Sequence, residues 1–362
     1  MKVIIAGGGT GGHLFPAVAL GEEMMRERPE TEVLYVGTST GIEARWLPAS
    51  GYRYELFKVH GLRGRGLAAR IKSLAEFVRA IALARSLIAR FRPDVVVCAG
   101  GYASAPIGVA AIIARIPMVL MEQNTRPGLS NRILWRFAQK VSVGFAETAS
   151  YFSSSKVATT GNPVRFVFDP APRAVTKGPI QILVLGGSSG AHRLNIGVLE
   201  AFKISANRVI NCLVVHQTGE ADEELVRAGY RGLSLKAEVT PFINDIASAL
   251  KGADLVIARA GAMTVTELAL AARPAIFVPY PFHRDRQQEH NARVLERLGG
   301  AVIVKDDDRL PGNLARELER LTADSGSLAA MGQRAHQAAR PNAARDIAHL
   351  CFELAQGGRA AA

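Results

Sequence analysis

The chain has 362 residues, 48% of them hydrophobic, and carries a net charge of +12. That length exceeds what one core supports, so about two domains are expected, and the composition excludes a disordered or low-complexity chain. Its three cysteines, Cys98, Cys212 and Cys351, lie far apart with no CxxC pair, which excludes a disulfide scaffold and fits a reducing compartment. Cys98 and Cys212 read as small core fillers.

The first residues, "MKVIIAGGG", hold one lysine and, after it, four apolar side chains before glycine ends the run, too short for an export signal; a cytoplasmic location is expected. A strand at residues 3–6 enters the turn "GGGTGGH", followed by a helix at 15–28 and a strand at 33–36. Next come a strand at 53–57, a long helix at 67–91, a strand at 95–98, the turn "AGGYASAP" and a helix at 103–115. Strands at 118–121 and 140–143 complete the first half. The longest apolar stretch, "APIGVAAIIARIPMVLM", is broken by Arg115 and Pro117, so it reads as a helix and a buried strand, not a membrane span.

The segment "GNPVRFVFDPAPRAVTKGP" holds four prolines and no periodicity, the signature of a linker. After it the pattern restarts at "IQILVLGGSSGAHRLN", with further strands near 211–216, 234–236, 255–257, 275–278 and 301–304. Alternation of strand and helix implies parallel sheets covered on both faces. The fold class is therefore α/β: two doubly wound, Rossmann-like parallel-sheet domains, 1–162 and 163–340, facing across a cleft at the carboxyl ends of the strands, where ligands bind in such sheets.

Gly7 to Gly12 satisfies G-x-G-x-x-G, but a dinucleotide site also needs an acid at the end of the second strand. That strand reads "VLYVGTSTG", and Glu43 arrives only in the next helix, which argues against a nicotinamide oxidoreductase. Three glycine-rich strand exits, "GGGTGGH", "AGGYASAP" and "GGSSGAH", exceed what tight connections alone require, and each would aim backbone amides at an anion. A fourth exit, "ARAGAMTVTELA", sets Thr264, Thr266 and Glu267 at the start of a helix after Arg259. Amides and hydroxyls suit phosphate there, while a carboxylate suits a neutral diol such as ribose; Glu267 as a mere helix cap is the plainer reading.

Between Lys58 and Arg92 nine basic residues face one acid, Glu76, which is eight of the twelve net charges. Leu67, Ile71, Leu74, Phe77 and Ile81 recur there at helical spacing. A basic amphipathic helix suits an anionic membrane surface, and its apolar face equally suits packing on a sheet. Nucleic acid is not expected, since no aromatic platforms interleave with the cluster.

The clusters "GGGTGGH", "GGYASAP", "EQNTRPGLSNR", "GNPVR", "GGSSGA", "FINDIA", "RAGAMTVTELA" and "HRDRQQEHNA" follow one another across nearly the whole chain. In that order they resemble the MurG family, bacterial transferases that add N-acetylglucosamine to lipid I. The resemblance implies the GT-B architecture, an N-terminal acceptor domain and a C-terminal UDP-sugar domain. It also implies a terminal helix (341–362) returning to the first domain.

Position by position, it implies that Thr10, Gly11 and Gly12 meet donor and acceptor, that Asn124 and Arg165 line the donor site, and that Ser188 contacts the diphosphate. Ile243 would read the uracil edge through its backbone, Ala262, Met263, Thr264, Val265, Thr266 and Glu267 would hold diphosphate and ribose, and Gln288, with Gln287, the donor sugar. Three positions depart from the family pattern: Ser189 stands where Gln is usual, Ala105 where Gly is frequent, and Met121 where His is common.

The implied reaction is inverting transfer from UDP-GlcNAc to the muramic acid 4-hydroxyl of lipid I, giving lipid II on the cytoplasmic face of the inner membrane. The alternative is another UDP-sugar transferase with a different acceptor; a non-catalytic basic binding protein is the reading from another class. No cofactor is expected. No DxD triplet is placed at a strand end, and Asp306 to Asp308 read as a solvated cap, so no metal site is expected either. Leaving-group charge would then fall on helix amides, Ser188 or Ser189, Thr264 and Arg259. His13 is the candidate base, with loop orientation or phosphate donation as its other role. His192 is the lesser candidate, and His283 and His290 read as surface. Membrane contact would come from Arg63, Arg65, Leu67, Arg70, Ile71, Lys72, Leu74, Phe77 and Arg79, and other cell-wall synthesis proteins are candidate partners.

Overall fold

The computed structural model describes residues 1–59, 67–166, 178–187, 190–209, 211–233, 235–283 and 285–360. The chain divides into two compact units, Met1–Arg165 with Arg340–Ala362, and Phe166–Ala339. Residues 163–165 go with the first unit, where the sequence reading gave them to the second. The Asn162 amide donates to Gln123 O at 3.0 Å, and Arg165 pairs with Glu22 at 3.3 Å, which ties this segment down.

In the first unit seven parallel strands run β1 (Lys2–Ala6), β2 (Glu32–Thr38), β3 (Tyr54–Phe57), β4 (Val95–Cys98), β5 (Met118–Glu122), β6 (Lys140–Val143) and β7 (Val157–Thr159). Their spatial order is β3-β2-β1-β4-β5-β6-β7, so the winding reverses between β1 and β4. The Val/Ile runs of β1 and β4 are buried because helices cover both faces, as parallel crossovers require. Ile347, Cys351 and Phe352 of the terminal helix (Ala343–Ala360) join the core cluster of Val3, Leu14, Leu20, Met24 and Val95. Burying Ile347 or Phe352 in this way stabilises by about 1.5–3 kcal/mol.

The second unit carries six parallel strands, β8 (Gln181–Leu185), β9 (Leu213–Gln217), β10 (Lys236–Thr240), β11 (Leu255–Ala258), β12 (Ala275–Phe277) and β13 (Ala301–Ile303), in the order β10-β9-β8-β11-β12-β13. Its winding reverses between β8 and β11. All three cysteines are free and buried, and burial pushes the Cys98 thiol up to about 12.

One edge strand is displaced from the sequence reading and one escapes it. β10 begins at the last residue of the expected 234–236 and runs on to Thr240, because "KAEVT" buries only Val239 and offers no apolar run. β7 is three half-exposed residues. Two helices also start earlier than expected, at Gly11 and Gly101, inside glycine turns whose propensity argues against helix.

Candidate functional site

Register brings the four glycine-rich or small-residue exits together in pairs. In the first unit Ala6 at the end of β1 lies opposite Cys98 at the end of β4, so "GGGTGGH" and "AGGYASAP" leave the sheet side by side. In the second unit Leu185 lies opposite Ala258, which pairs "GGSSGAH" with "ARAGAMT". Both pairs stand at the reversal of winding, on the carboxyl edge, where open α/β sheets bind ligands.

The first turn is less open to anions than its glycines suggest. The Gly7 amide donates to Val36 O at 3.0 Å, and the Gly9 amide to Glu43 Oε1 at 2.8 Å. Glu43 opens the helix Glu43–Ser50 and is fully buried; its Oε1 also accepts from Thr38 N at 2.8 Å and Thr38 Oγ1 at 2.6 Å. Its Oε2 has no hydrogen-bond partner among the described residues. A Cβ at Gly8 or Gly41 would fall on this carboxyl group and one at Gly37 on its Cγ, so glycines from the first turn, from β2 and from the turn after it make a cradle for one acid. Glu43 therefore braces the turn from beneath and cannot reach a ribose.

Thr10 caps the helix Gly11–Glu27 in extended conformation with its side chain exposed, and Gly11, Gly12 and His13 form the first helical turn instead of a loop. His13 Nδ1 lies 3.2 Å from Oε1 of Gln123, which follows β5. Beside it, buried Glu122 accepts from Asn124 N, Gly128 N and Asn131 Nδ2 at 3.0, 2.9 and 2.9 Å, ordering the segment after β5. Asn124 is held within this cluster, its amide 3.3 Å from Glu122 Oε1. Arg165 sits on the Trp46 ring, 5.1 Å from its centroid, beside Glu22.

In the second unit Gln217, at the end of β9, clamps Gly187: its Oε1 accepts from Gly187 N and its Nε2 donates to Gly187 O, both at 3.1 Å. Gly186 N donates to Gln217 O at 3.2 Å. The expectation of free amides in these turns thus fails at Gly7, Gly9, Gly186 and Gly187. Ser188 and Ser189 lie outside the described residues.

The helix Ala262–Leu270 divides its residues by face. Ala262, Val265 and Thr266 are buried, and Thr266 Oγ1 donates to Ala262 O at 2.9 Å, so its hydroxyl is not presented to a phosphate as expected. Met263, Thr264 and Glu267 are half-buried on one stripe, Glu267 in the second turn instead of the first. The first-turn amides at Ala262, Met263 and Thr264 have no intrahelical acceptor. Desolvation pushes the Glu267 carboxyl up to about 7.

Arg259 is not the free cation anticipated. Its guanidinium donates to Val278 O at 2.9 Å and pairs with Asp306 at 2.8 Å, while Arg193 pairs with the same carboxylate at 2.7 Å. Asp306 has no exposed side-chain surface, so it is no solvated cap: it ties the helix His192–Ile204 to the end of β11. The lesser base candidate, His192, is 2.8 Å from Asp222 Oδ1 through Nδ1, and Asp222 in turn accepts from Asn195 at 2.7 Å. Ile243 is half-buried in the turn after β10. Gln287 and Gln288 open the helix Gln287–Arg297, and Gln288 Oε1 accepts from Tyr280 N at 2.9 Å, leaving its amide N–H groups as donors.

On the helix Leu67–Phe91 the described face toward the core is Ser73, Ala80, Ala84, Leu87, Ile88 and Phe91, with Phe77 packed against it. Phe77 is therefore a core residue, not a free membrane contact. Leu74 is 56% exposed and Val78, one turn on, 59%, with Arg79 exposed beside them. Arg63 and Arg65 lie outside the described residues, as do the side chains of Leu67, Arg70, Ile71 and Lys72. No described helix is long and apolar enough to cross a membrane.

Sequence reasoning passed over Gln123 and Gln217, and met Glu43 only as an acid placed too late for a ribose, without its bracing role. Each is a single polar residue near a strand end, and only its partner across the sheet reveals it.

Comparison with known proteins places this arrangement. Residues 3–143 match the glycosyltransferase family 28 N-terminal domain and residues 181–349 its C-terminal domain. A protein of Anaeromyxobacter sp. (strain Fw109-5), named UDP-N-acetylglucosamine–N-acetylmuramyl-(pentapeptide) pyrophosphoryl-undecaprenol N-acetylglucosamine transferase, is 41% identical over 98% of this chain and 93% of its own. One of the same name from Geobacter sulfurreducens is 41% identical over 96% of this chain and 97% of its own. The crystal structure of Acinetobacter baumannii MurG superposes with a TM-score of 0.81 at 32% identity, covering 97% of this chain and 99% of that one.

Proposed function

The chain belongs to glycosyltransferase family 28, and on that premise we propose that it transfers N-acetylglucosamine from UDP-N-acetylglucosamine to the muramic acid 4-hydroxyl of lipid I, making lipid II for peptidoglycan. It has the two Rossmann-like parallel-sheet domains of the GT-B architecture.

One observation carries the assignment of donor and acceptor halves: the two reversal points bear different chemistry. The second unit offers helix amides with no intrahelical acceptor, and the Thr264 hydroxyl and the Glu267 carboxyl on one half-buried stripe, which suits diphosphate followed by a ribose diol. The first unit offers an imidazole at its reversal point, which suits a hydroxyl acceptor. Ile243 would read the uracil edge and the amide of Gln288 the sugar hydroxyls, with Ser188 supporting the diphosphate.

The step is a single in-line displacement with inversion. The acceptor oxygen attacks the anomeric carbon, its proton passes to His13, and the bond to the β-phosphate oxygen breaks with both electrons leaving on UDP. Charge developing on UDP falls on the amides of Ala262, Met263 and Thr264 and on the Thr264 hydroxyl. One such donor contributes about 3 kcal/mol, so a few supply a large rate effect. Arg259, bound to Asp306, holds the site's shape and lends no free charge.

Leu74 and Val78, together with the cations of residues 63–79, would seat the first unit on the anionic cytoplasmic leaflet of the inner membrane, as a peripheral contact near the lipid diphosphate. Other cell-wall synthesis proteins are its further candidate partners.

The test is UDP release from UDP-GlcNAc in EDTA, with and without a short-chain lipid I analogue, for wild type and His13→Ala. Acceptor-dependent release that survives EDTA and falls in the variant, with donor affinity kept, is expected. Donor binding without release under this acceptor would instead favour a UDP-sugar transferase for another acceptor. For the membrane contact, Leu74→Asp with Val78→Asp should lower co-sedimentation with phosphatidylglycerol vesicles while turnover on a water-soluble acceptor persists; unchanged sedimentation removes that face from the reading.

A further inference from the structure

The hydrogen bonds around His13 fix more than its position. Gln123 is 1% exposed, and its backbone carbonyl accepts from the Asn162 amide at 3.0 Å. Its side-chain Nε2 donates to Ala99 O at 3.0 Å. A carbonyl cannot donate, so this contact sets which end of the Gln123 amide is nitrogen and leaves Oε1 facing His13 Nδ1 at 3.2 Å. An amide oxygen cannot donate either. The hydrogen of that bond therefore belongs to Nδ1, and in a neutral imidazole the lone pair is then on Nε2.

The site is built to allow this approach. Gly100 has φ of 88°, in the left-handed region, and a Cβ there would stand 2.9 Å from His13 Nδ1 and 3.0 Å from Cε1. Only glycine lets the ring lie against this backbone.

We propose that Gln123 is a positioning residue that holds His13 as its Nδ1–H tautomer, so that Nε2 is the atom that receives the acceptor's proton. The catalytic half of this rests on the reading of His13 as base given above; the tautomer half stands on the hydrogen bonds alone. An amide suits the task better than the carboxylate that orients histidine in many hydrolases, because it sets the tautomer without adding negative charge beside an acceptor that bears a diphosphate. It also separates base from phosphate donor in the neutral ring: the Nδ1–H form carries its lone pair on Nε2, so donation to a phosphate from that nitrogen would require the imidazolium.

The chain labelled with 15N-histidine gives eight ring systems, and the signal absent in His13→Ala assigns the relevant one. Long-range 1H–15N spectra of the wild type, recorded at a pH where the ring is neutral, should show a protonated Nδ1 and a bare Nε2. In Gln123→Met the Nδ1–H preference should be lost, and kcat should fall about tenfold with donor KM held within about twofold, the order of effect that orienting partners of imidazoles have. A wild-type ring protonated on Nε2 would overturn the proposal, whatever the variants do. So would retention of the Nδ1–H form in Gln123→Met. Full turnover in His13→Ala would remove the base reading and with it the catalytic half, whereas the spectrum still decides what Gln123 does to the ring.

Discussion

Replacing Glu43 by alanine probes how the first glycine turn is held. The carboxylate is the acceptor for Gly9 N, Thr38 N and Thr38 Oγ1, at 2.8, 2.8 and 2.6 Å. Alanine leaves two enclosed amides and a hydroxyl without it, and each amide left unpaired costs about 1–3 kcal/mol. Part of this is offset, because a buried carboxylate with one unpartnered oxygen is itself costly to desolvate. A net loss of about 2–4 kcal/mol is expected for the first unit. Glu43→Gln keeps the accepting oxygen and places its NH2 where Oε2 found no partner, so it should cost only about 1 kcal/mol. Hydrogen exchange at the Gly9 and Thr38 amides reads the effect locally: 2 kcal/mol corresponds to roughly 30-fold faster opening. Turnover should drop with stability, since Thr10 and His13 continue directly from the braced turn. Exchange at both amides unchanged in Glu43→Ala, with stability within about 0.5 kcal/mol of wild type, would refute the bracing role.

Donor binding should report on Glu267, whose carboxyl titrates near 7 in the free protein. Diol hydroxyls that donate to it favour the ionised form, so UDP-GlcNAc affinity should rise with pH through that region and binding should release protons at pH 7; calorimetry in buffers of different ionisation enthalpy that finds proton uptake contradicts this. His216 is fully buried, and burial lowers its pKa to about 3. The unfolded chain then binds the extra proton between pH 6.5 and 3, so the second unit should lose stability by about 1.4 kcal/mol per unit of acidification across that window. In His216→Gln the slope should be shallower by that amount, and equal slopes would exclude the assignment. Asp306→Ala strands Arg259, whose side chain is 11% exposed, and should destabilise the second unit by about 2–4 kcal/mol. Arg193→Ala, losing a side chain that is 48% exposed, should cost no more than about 1 kcal/mol. Equal losses in chemical denaturation would show that the bridge to Arg193 carries the pair.

The sequence by itself determined the class of fold and the chemistry on offer. Buried Val/Ile strands alternating with amphipathic helices permit little but parallel α/β units, because both sheet faces must be covered and every crossover needs a helix. The proline-rich segment marked where one unit gives way to the next, and eight ordered clusters carried the family. What the sequence could not state is which polar residue meets which turn. Gly9 and Glu43 are 34 positions apart, and His13 and Gln123 are 110 apart. A hydrogen bond at such separation leaves no periodicity or local composition to read. The same holds for Arg259, legible as a cation after a strand but neutralised by an aspartate that arrives 47 residues later. Helix starts inside glycine turns, the faces of the helix Leu67–Phe91 and the edge strands were likewise decided by packing. Local propensity differs there by about 1 kcal/mol or less per residue, and tertiary burial outweighs it.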